Sequence, residues 1–428
     1  MNSNTIALTR TENSRSSYRW IDQFAKMIFL SKFSAIRHGR ITLREGHTDH
    51  NFGKDDPDFP MHVSITVNDP SFYSDIIFGG TAGSGEAYMA RSWDCQQLTD
   101  LVRIILRNEH VLNSIDGGFG KLMLPLHKAF HFLHRNSLSG SRKNIGAHYD
   151  LGNGMFECFL DPTMMYSSGI FDQAEMTMEQ ASIAKLDRIC QKLQLSEHDH
   201  ILEIGTGWGG FAIYAAKNYG CHVTTTTISQ QQFEYAQQKI KETGLDDRIT
   251  LLCEDYRNLT GQYDKLVSIE MIEAVGHAYY KNYFEHCSKL LKPEGMMLLQ
   301  SITIADQRYQ AAKKEVDFIQ RYIFPGGSLP SVNVIAKNVT DHTDMRFYQL
   351  EDIGPHYATT LAIWREQFFN NISQIKRLGY SETFIRMWDF YLCYCEGGFK
   401  ENSIGTIQLL LKKPLCRREP SLNFKNAL

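Results

Sequence analysis

The chain has 428 residues, too many for one ordinary core, so two domains are expected. It is 43% hydrophobic and 22% charged with a net charge of −3. That balance describes a globular chain and excludes a global basic field for nucleic acid. Residues 1–17 are rich in Ser, Asn, Thr and Arg and lack an apolar leader core, so they read as a disordered tail. No apolar run approaches the roughly 18 residues of a spanning helix, so any membrane contact is expected to be peripheral. Residues 18–135 read as a small α+β domain. It opens with an amphipathic helix over Tyr18–Phe33, with Trp20, Phe24, Met27 and Ile28 at helical intervals. That helix either packs on its own domain or lies on a membrane surface. Alternation in GRITLREG and MHVSITVND predicts half-buried strands, with a polar loop over His47–Pro60 and helices over Glu86–Trp93 and Cys95–Asn108. Residues 136–146 form a Ser/Lys/Arg-rich linker. The basic cluster of Arg135, Arg142 and Lys143 reads as a solvated connector or a patch for anionic head groups.

Over 147–415 the pattern changes. Helices at Gln180–Lys192, Phe211–Asn218, Gln230–Thr243 and Lys281–Leu291 alternate with strands at Ile201–Ile204, Val223–Ile228, Ile249–Cys253, Lys265–Ile269 and Met296–Ser301. Such alternation predicts a doubly wound, mostly parallel α/β sheet with its ligand at the carboxyl ends of the strands. A tail follows at 416–428. The nine cysteines are scattered and carry no paired CxxC zinc spacing. Reduced thiols, no metal and a cytoplasmic setting are the simplest reading.

The run LEIGTGWGG, Leu202–Gly210, reads as a strand, a glycine turn and a helix start. Gly205, Gly207 and Gly210 satisfy the dinucleotide pattern, but the second strand, HVTTTTIS, lacks the acid that would hold the ribose of NAD. Glu203 instead precedes the turn, where an acid can face the ammonium end of S-adenosylmethionine (SAM), so SAM is preferred. Asp255 and Tyr256 follow the third strand, where Asp can accept from an exocyclic amine and Tyr can stack on a ring. Asp255 also reads as a helix N-cap. Glu270 and Glu273, three apart after the fourth strand, are either a working carboxylate pair or a solvated one. His277 reads as a base or as a structural loop residue.

The motifs HYDLGN (His148–Asn153), FLDPTMMYSSGIF (Phe159–Phe171), LEIGTGWGG, YDKLVSIEMIEAVG, IFPGGSLPS (Ile323–Ser331) and PHYATTL (Pro355–Leu361) occur in this order. Together they resemble the cyclopropane-fatty-acid synthase family of SAM-dependent methyltransferases, which includes the mycolic acid cyclopropane synthases. The resemblance implies a Rossmann-like SAM domain that methylates the double bond of an unsaturated acyl chain, and a cytoplasmic enzyme peripheral on the inner membrane face. Family members often form homodimers. It implies cofactor contacts from Tyr166, Ser167, Gly205, Gly207, Trp208, Thr227, Ile228, Gln232, Asp255 and Tyr256.

The resemblance also implies a bicarbonate ion that takes the final proton, held by a Cys, a Glu, a His and a Tyr. Glu273 and Tyr357 match two of these ligands. Ser168 stands at the Cys position and Gln300 at the His position. Cys395 matches a family cysteine regarded as an active-site thiol, although a buried structural thiol is an equal reading. Ser and Gln still donate hydrogen bonds, but Gln does not titrate. Glu270 adds a carboxylate where relatives often have Gly. These changes leave two products open: a cyclopropane, or a methylene- or methyl-branched chain. A non-catalytic lipid-binding protein and a small-molecule methyltransferase are the rivals from other classes.

Overall fold

The computed structural model describes residues 19–109 and 152–417. The tail at 1–17, the linker at 136–146 with its basic cluster, and nearly all of 416–428 lie outside the described residues.

The smaller part comprises α1 (Trp20–Phe33), β1 (Arg40–Glu45), β2 (Thr48–Gly53), β3 (His62–Val67), α2 (Ser71–Met89), β4 (Trp93–Cys95) and α3 (Leu98–Arg107), with sheet order β2-β1-β3-β4. Three sequence expectations change here. The segment His47–Pro60 is not all loop, because Glu45 pairs with Thr48 across a turn at Gly46 and β2 returns antiparallel to β1. Gly46 takes φ +56, which a side chain would resist. The strand looked polar because it is an edge strand that buries only Phe52. The helix expected over Glu86–Trp93 ends at Met89, and Trp93–Cys95 pairs antiparallel with β3. Finally, α1 buries Ala25, Phe29 and Phe33, and leaves Trp20 79% and Met27 61% exposed. The helix is amphipathic, but its inward face is not the one that Trp20, Phe24 and Met27 suggested.

The larger part comprises α4 (Asn153–Glu157), α5 (Met178–Leu193), β5 (His200–Ile204), α6 (Gly210–Tyr219), β6 (His222–Thr227), α7 (Gln230–Thr243), β7 (Ile249–Cys253), β8 (Tyr263–Ile269), α8 (Tyr280–Leu290) and β9 (Leu291–Ile304). It continues through α9 (Asp306–Ala312), α10 (Val332–His342), β10 (Arg346–Asp352), α11 (Gly354–Asn370), α12 (Ile372–Arg377), α13 (Glu382–Lys400) and β11 (Ile404–Lys412). Its sheet runs β10-β11-β9-β8-β5-β6-β7. The five strands from β9 to β7 are parallel, and β11 and β10 close one edge antiparallel. The chain winds outward from β5 to β7, then restarts beside β5 with β8. That switch point opens a crevice at the carboxyl ends of β5 and β8, where open α/β sheets bind ligands. Local signals set the helix starts. Thr177 and Gln180 form a reciprocal capping box on α5, and Ser229 caps α7.

The two parts share one apolar cluster, which runs from Phe29, Ile65 and Trp93 to Phe159, Trp364 and Trp388. Helix α13 is the seam. The Tyr88 hydroxyl donates to Asp389 Oδ2 at 2.8 Å, and Arg365 Nε donates to Asp389 Oδ1 at 2.7 Å. Arg386 donates to the Trp93 carbonyl at 2.9 Å, and Thr99 donates to Glu396 at 2.8 Å. Asp389 is buried between a cation and a hydroxyl. Asp389→Ala would strand both partners, so it should lower stability by about 3 kcal/mol. Urea denaturation followed by tryptophan fluorescence checks this, and both parts should unfold in one transition.

Candidate active site

Strand β5 delivers Glu203 and the glycine turn to the crevice. The N–H groups of Gly205 and Thr206 both donate to the Thr226 carbonyl at 3.0 Å, which ties the turn to β6. Gly205 has φ +103 and Gly207 φ +55, conformations that favour glycine. A Cβ on Gly207 would meet nothing within 4 Å, so the turn faces open space. A Cβ on Gly210 would lie 2.6 Å from the Thr163 carbonyl oxygen, so Gly210 is needed where the 163–168 loop crosses α6.

Glu203 is buried and accepts from Thr225 Oγ1 at 2.6 Å, and that hydroxyl lies 2.7 Å from Thr206 Oγ1. Burial pushes the Glu203 carboxyl up to about 8. Thr227 donates to Gln232 Oε1 at 2.9 Å. Trp208 packs on Phe156 and donates through Nε1 to Asn153 at 2.8 Å, which links the last residue of the HYDLGN run to the LEIGTGWGG turn. Asp255 caps the short turn Tyr256–Asn258 and pairs with Arg257 at 2.7 Å. Tyr166, Ser167, Glu203, Gly205, Gly207, Trp208, Thr227, Ile228, Gln232, Asp255 and Tyr256 all line one cavity of about 960 Å³. An open glycine turn, a buried acid and a flanking Tyr256 ring fit the shape and charge of SAM.

Beside this cradle stands Glu270, the residue after β8. It takes φ +49, a left-handed conformation that costs an L side chain about 1 kcal/mol. Three donors hold its carboxylate. Oε1 accepts from Gln300 Nε2 at 2.8 Å and from the Ser168 N–H at 3.1 Å, and Oε2 accepts from the Tyr357 hydroxyl at 2.7 Å. The Gln300 amide is itself oriented, since its Oε1 accepts from Gln408 and Gln408 Oε1 accepts from Lys192. Ser168 meets Glu270 through its backbone, while its hydroxyl turns to the Gly169 carbonyl at 2.9 Å. Ser168 and Gln300 are fully buried behind Glu270, and the carboxylate faces the cavity.

Glu273 lies on the same wall. Its Oε1 accepts from Ser301 Oγ at 3.0 Å and from the Ile302 N–H at 2.5 Å, and its Oε2 has no hydrogen-bond partner. The IFPGGSLPS run backs it, with the Ser328 N–H donating to the Glu273 carbonyl at 2.8 Å. Burial and the neighbouring Glu270 push the Glu273 carboxyl up to about 8. Burial raises Glu270 too, but Tyr357, Gln300, Lys185 and the Ser168 N–H oppose it. Glu273, pushed to about 8, keeps its proton at neutral pH, and the net shift of Glu270 is also upward. Two groups that the resemblance assigned to bicarbonate, Gln300 and Tyr357, are spent on Glu270. The residues present do not fit a free bicarbonate ion in that niche.

Several aromatic side chains stand on the cavity wall. Tyr357 stacks on Phe399 at 4.6 Å, and Tyr166 stacks on Trp364 at 5.2 Å with its hydroxyl 2.9 Å from that of Tyr391. The PHYATTL run starts α11 with a proline in its first turn. It sends Tyr357 to Glu270, while Thr360 accepts from the Gly169 N–H at 3.0 Å. Cys395 lines the cavity, but burial drives its thiol far above its ordinary range, which removes the thiolate that a nucleophile needs. His277 also lies on this wall. The cavity continues into the smaller part, between Phe29, Phe33, Phe72, Trp93, Leu101 and Ile105. Reading the sequence flagged Glu270 as an extra acid but not as the centre of this array. The glycine that the resemblance implies for many relatives at this position was a signal of its left-handed backbone.

If Glu203 faces the cationic end of the cofactor, Glu203→Gln should weaken binding of S-adenosylhomocysteine roughly tenfold or more, read by calorimetry, with the thermal midpoint little changed.

Comparison with known proteins agrees with this geometry. A family model described as mycolic acid cyclopropane synthetase matches residues 136–409. The cyclopropane-fatty-acyl-phospholipid synthase of Escherichia coli strain K12 is 39% identical over 357 residues, covering 82% of this chain and 88% of that protein. Tuberculostearic acid methyltransferase UfaA1 of Mycobacterium tuberculosis is 37% identical over 347 residues, 78% of this chain and 79% of its own. Among solved structures, the cyclopropane synthase MmaA2 from Mycobacterium tuberculosis superposes with a TM-score of 0.60 at 30% identity, covering 64% of this chain and 98% of that one. The mycolic acid cyclopropane synthase CmaA1 complexed with SAH and CTAB gives the same values. With its glycine turn, buried acid and aromatic cavity, this chain is a SAM-dependent methyltransferase of the mycolic acid cyclopropane synthetase family.

Proposed function

We propose that the chain methylates the double bond of an unsaturated acyl chain in a membrane phospholipid, and that Glu270 takes the proton released when the product, a cyclopropane, closes. The observation that carries this reading is the Glu270 carboxylate, held by three donors on the wall of the cavity beside the aromatic rings of Tyr166, Tyr357 and Phe399. SAM supplies an electrophilic methyl group. The alkene π pair forms the new carbon–carbon bond as the carbon–sulfur bond breaks, leaving a cation on the acyl chain. A proton of the added methyl group then passes to Glu270, and its C–H electron pair closes the ring. A carbocation is so strong an acid that an ordinary carboxylate suffices as the acceptor. Aromatic faces of Tyr166, Tyr357 and Phe399 stabilise positive charge without offering it a nucleophile. Glu270→Gln keeps the shape and removes the acceptor. It should retain cofactor binding and lose at least a hundredfold in turnover of labelled SAM into lipid.

A second reading has its own support. The base here is fixed to the backbone beside β8, and Gln300 does not titrate. A cation that outlives the first encounter can undergo a hydride shift and lose a different proton, which leaves a methylene branch. The kinship to a tuberculostearic acid methyltransferase favours keeping this outcome in the test. Proton NMR of the lipid product separates the two. Upfield ring protons are the expected result, and exocyclic methylene protons in their place would establish the branching reading instead.

For access to its substrate, we propose that α1 docks on the bilayer. Its outer face presents Trp20, Phe24 and Met27, while its inner residues Phe29 and Phe33 line the cavity. The same short helix therefore connects a surface that suits lipid to the channel that suits an acyl chain. No helix among the described residues is long and apolar enough to cross a membrane. Replacing Trp20, Phe24 and Met27 together by Ala should weaken flotation with unsaturated phospholipid vesicles roughly tenfold and leave S-adenosylhomocysteine affinity unchanged.

A further inference from the structure

Lys185 lies on α5, within the stripe of Ala181, Leu186, Ile189 and Leu193 that faces the core, and it is fully buried. A Leu or Met would suit that position by packing alone. Its ammonium donates to Ser167 Oγ at 2.5 Å, and among the described residues no carboxylate lies within ion-pair distance. Three buried acids still face it: Glu270, Asp161 and Glu203. Two of them have nearer partners of their own. Asp161 accepts from Ser182 at 2.8 Å and from the Thr163 hydroxyl at 2.6 Å, and Glu203 accepts from Thr225. Glu270 is contacted by Tyr357 from α11, Gln300 from β9 and the Ser168 N–H, and it also feels Glu273 and Tyr391. Each of those contacts is a neutral group or a further acid. Lys185 is thus a cation that acts on Glu270, and the loop that carries Ser167 and Ser168 links the two.

We propose that Lys185 is a positioning residue for the reaction. Its buried charge keeps Glu270 ionised, and its bond to Ser167 holds the Ser168 N–H against the Glu270 carboxylate. The proposal rests on the reading of Glu270 as the proton acceptor. Burial draws the Lys185 ammonium down to about 8, so this counter-charge itself weakens in mild alkali.

The test compares Lys185→Met and Lys185→Arg with the parent, using two readouts. The first is the pH dependence of turnover on phospholipid vesicles. The second is direct titration of the Glu270 carboxyl by carbon NMR in Glu-labelled protein, assigned with Glu270→Gln, which requires no activity. Lys185→Met should move the Glu270 titration and the acidic limb of the turnover profile upward together by about one pH unit. Turnover should fall roughly tenfold at pH 6.5 and recover toward pH 8.5. Lys185→Arg should keep both near their parental values. An unmoved Glu270 titration in Lys185→Met would overturn the proposal, as would a loss of turnover equal at every pH. If Lys185→Met does not fold, Lys185→Gln is titrated in its place. Should the Glu270 titration move while turnover does not follow it, the electrostatic role stands and the acceptor role of Glu270 fails.

Discussion

The buried carboxyl group of Glu270, on the wall of the cavity, organises the site. Left alone, the Glu270 anion would take up a proton, because desolvation penalises the charged form. The Tyr357 hydroxyl, the Gln300 amide and the Ser168 N–H converge on it from a helix, a strand and a loop that are far apart in sequence. The left-handed backbone of Glu270 is tolerated because these contacts over-determine it. The switch point of the sheet then decides where this charge lies. Strand β8 leads into Glu270 and β5 into the glycine turn, so the carboxylate and the turn face one space by virtue of lying at the ends of neighbouring strands.

The smaller part extends the site. Its residues Phe29, Phe72 and Trp93 continue the cavity wall, and its core is continuous with that of the larger part across α13. The solved relatives MmaA2 and CmaA1 cover 64% of this chain, so their alignments leave a substantial part of it unmatched. Here an added α+β unit is joined to the catalytic part through buried hydrogen bonds to Asp389 and Glu396.

Much of the larger part was legible before any coordinates. Helix α7 and strand β7 fall where periodicity put them, and the Gly205–Gly210 turn opens a helix as its spacing implied. Those features are local, and local rules suffice for them. The smaller part was harder. An edge strand such as β2 has no alternating core face to announce it, and the inward face of α1 depends on partners that sequence does not reveal. The chemistry of the site failed to show for a related reason. Glu270 and Glu273 were visible as a pair, but their different fates depend on donors from residues 168, 300 and 357. Lys185 left a faint signal, a lysine on the buried stripe of a helix, whose meaning required its neighbours.

The sharpest test of the account replaces Glu270 by the glycine that the resemblance implies for many relatives. Glu270→Gly relieves the left-handed strain and opens the niche that the carboxylate fills. Turnover is measured with bicarbonate removed and then restored. The account predicts that the parent enzyme is indifferent to bicarbonate, and that the glycine variant is inactive until bicarbonate is added. A parent enzyme that loses activity when bicarbonate is stripped would contradict it, because Glu270 would then not be the resident anion of the site.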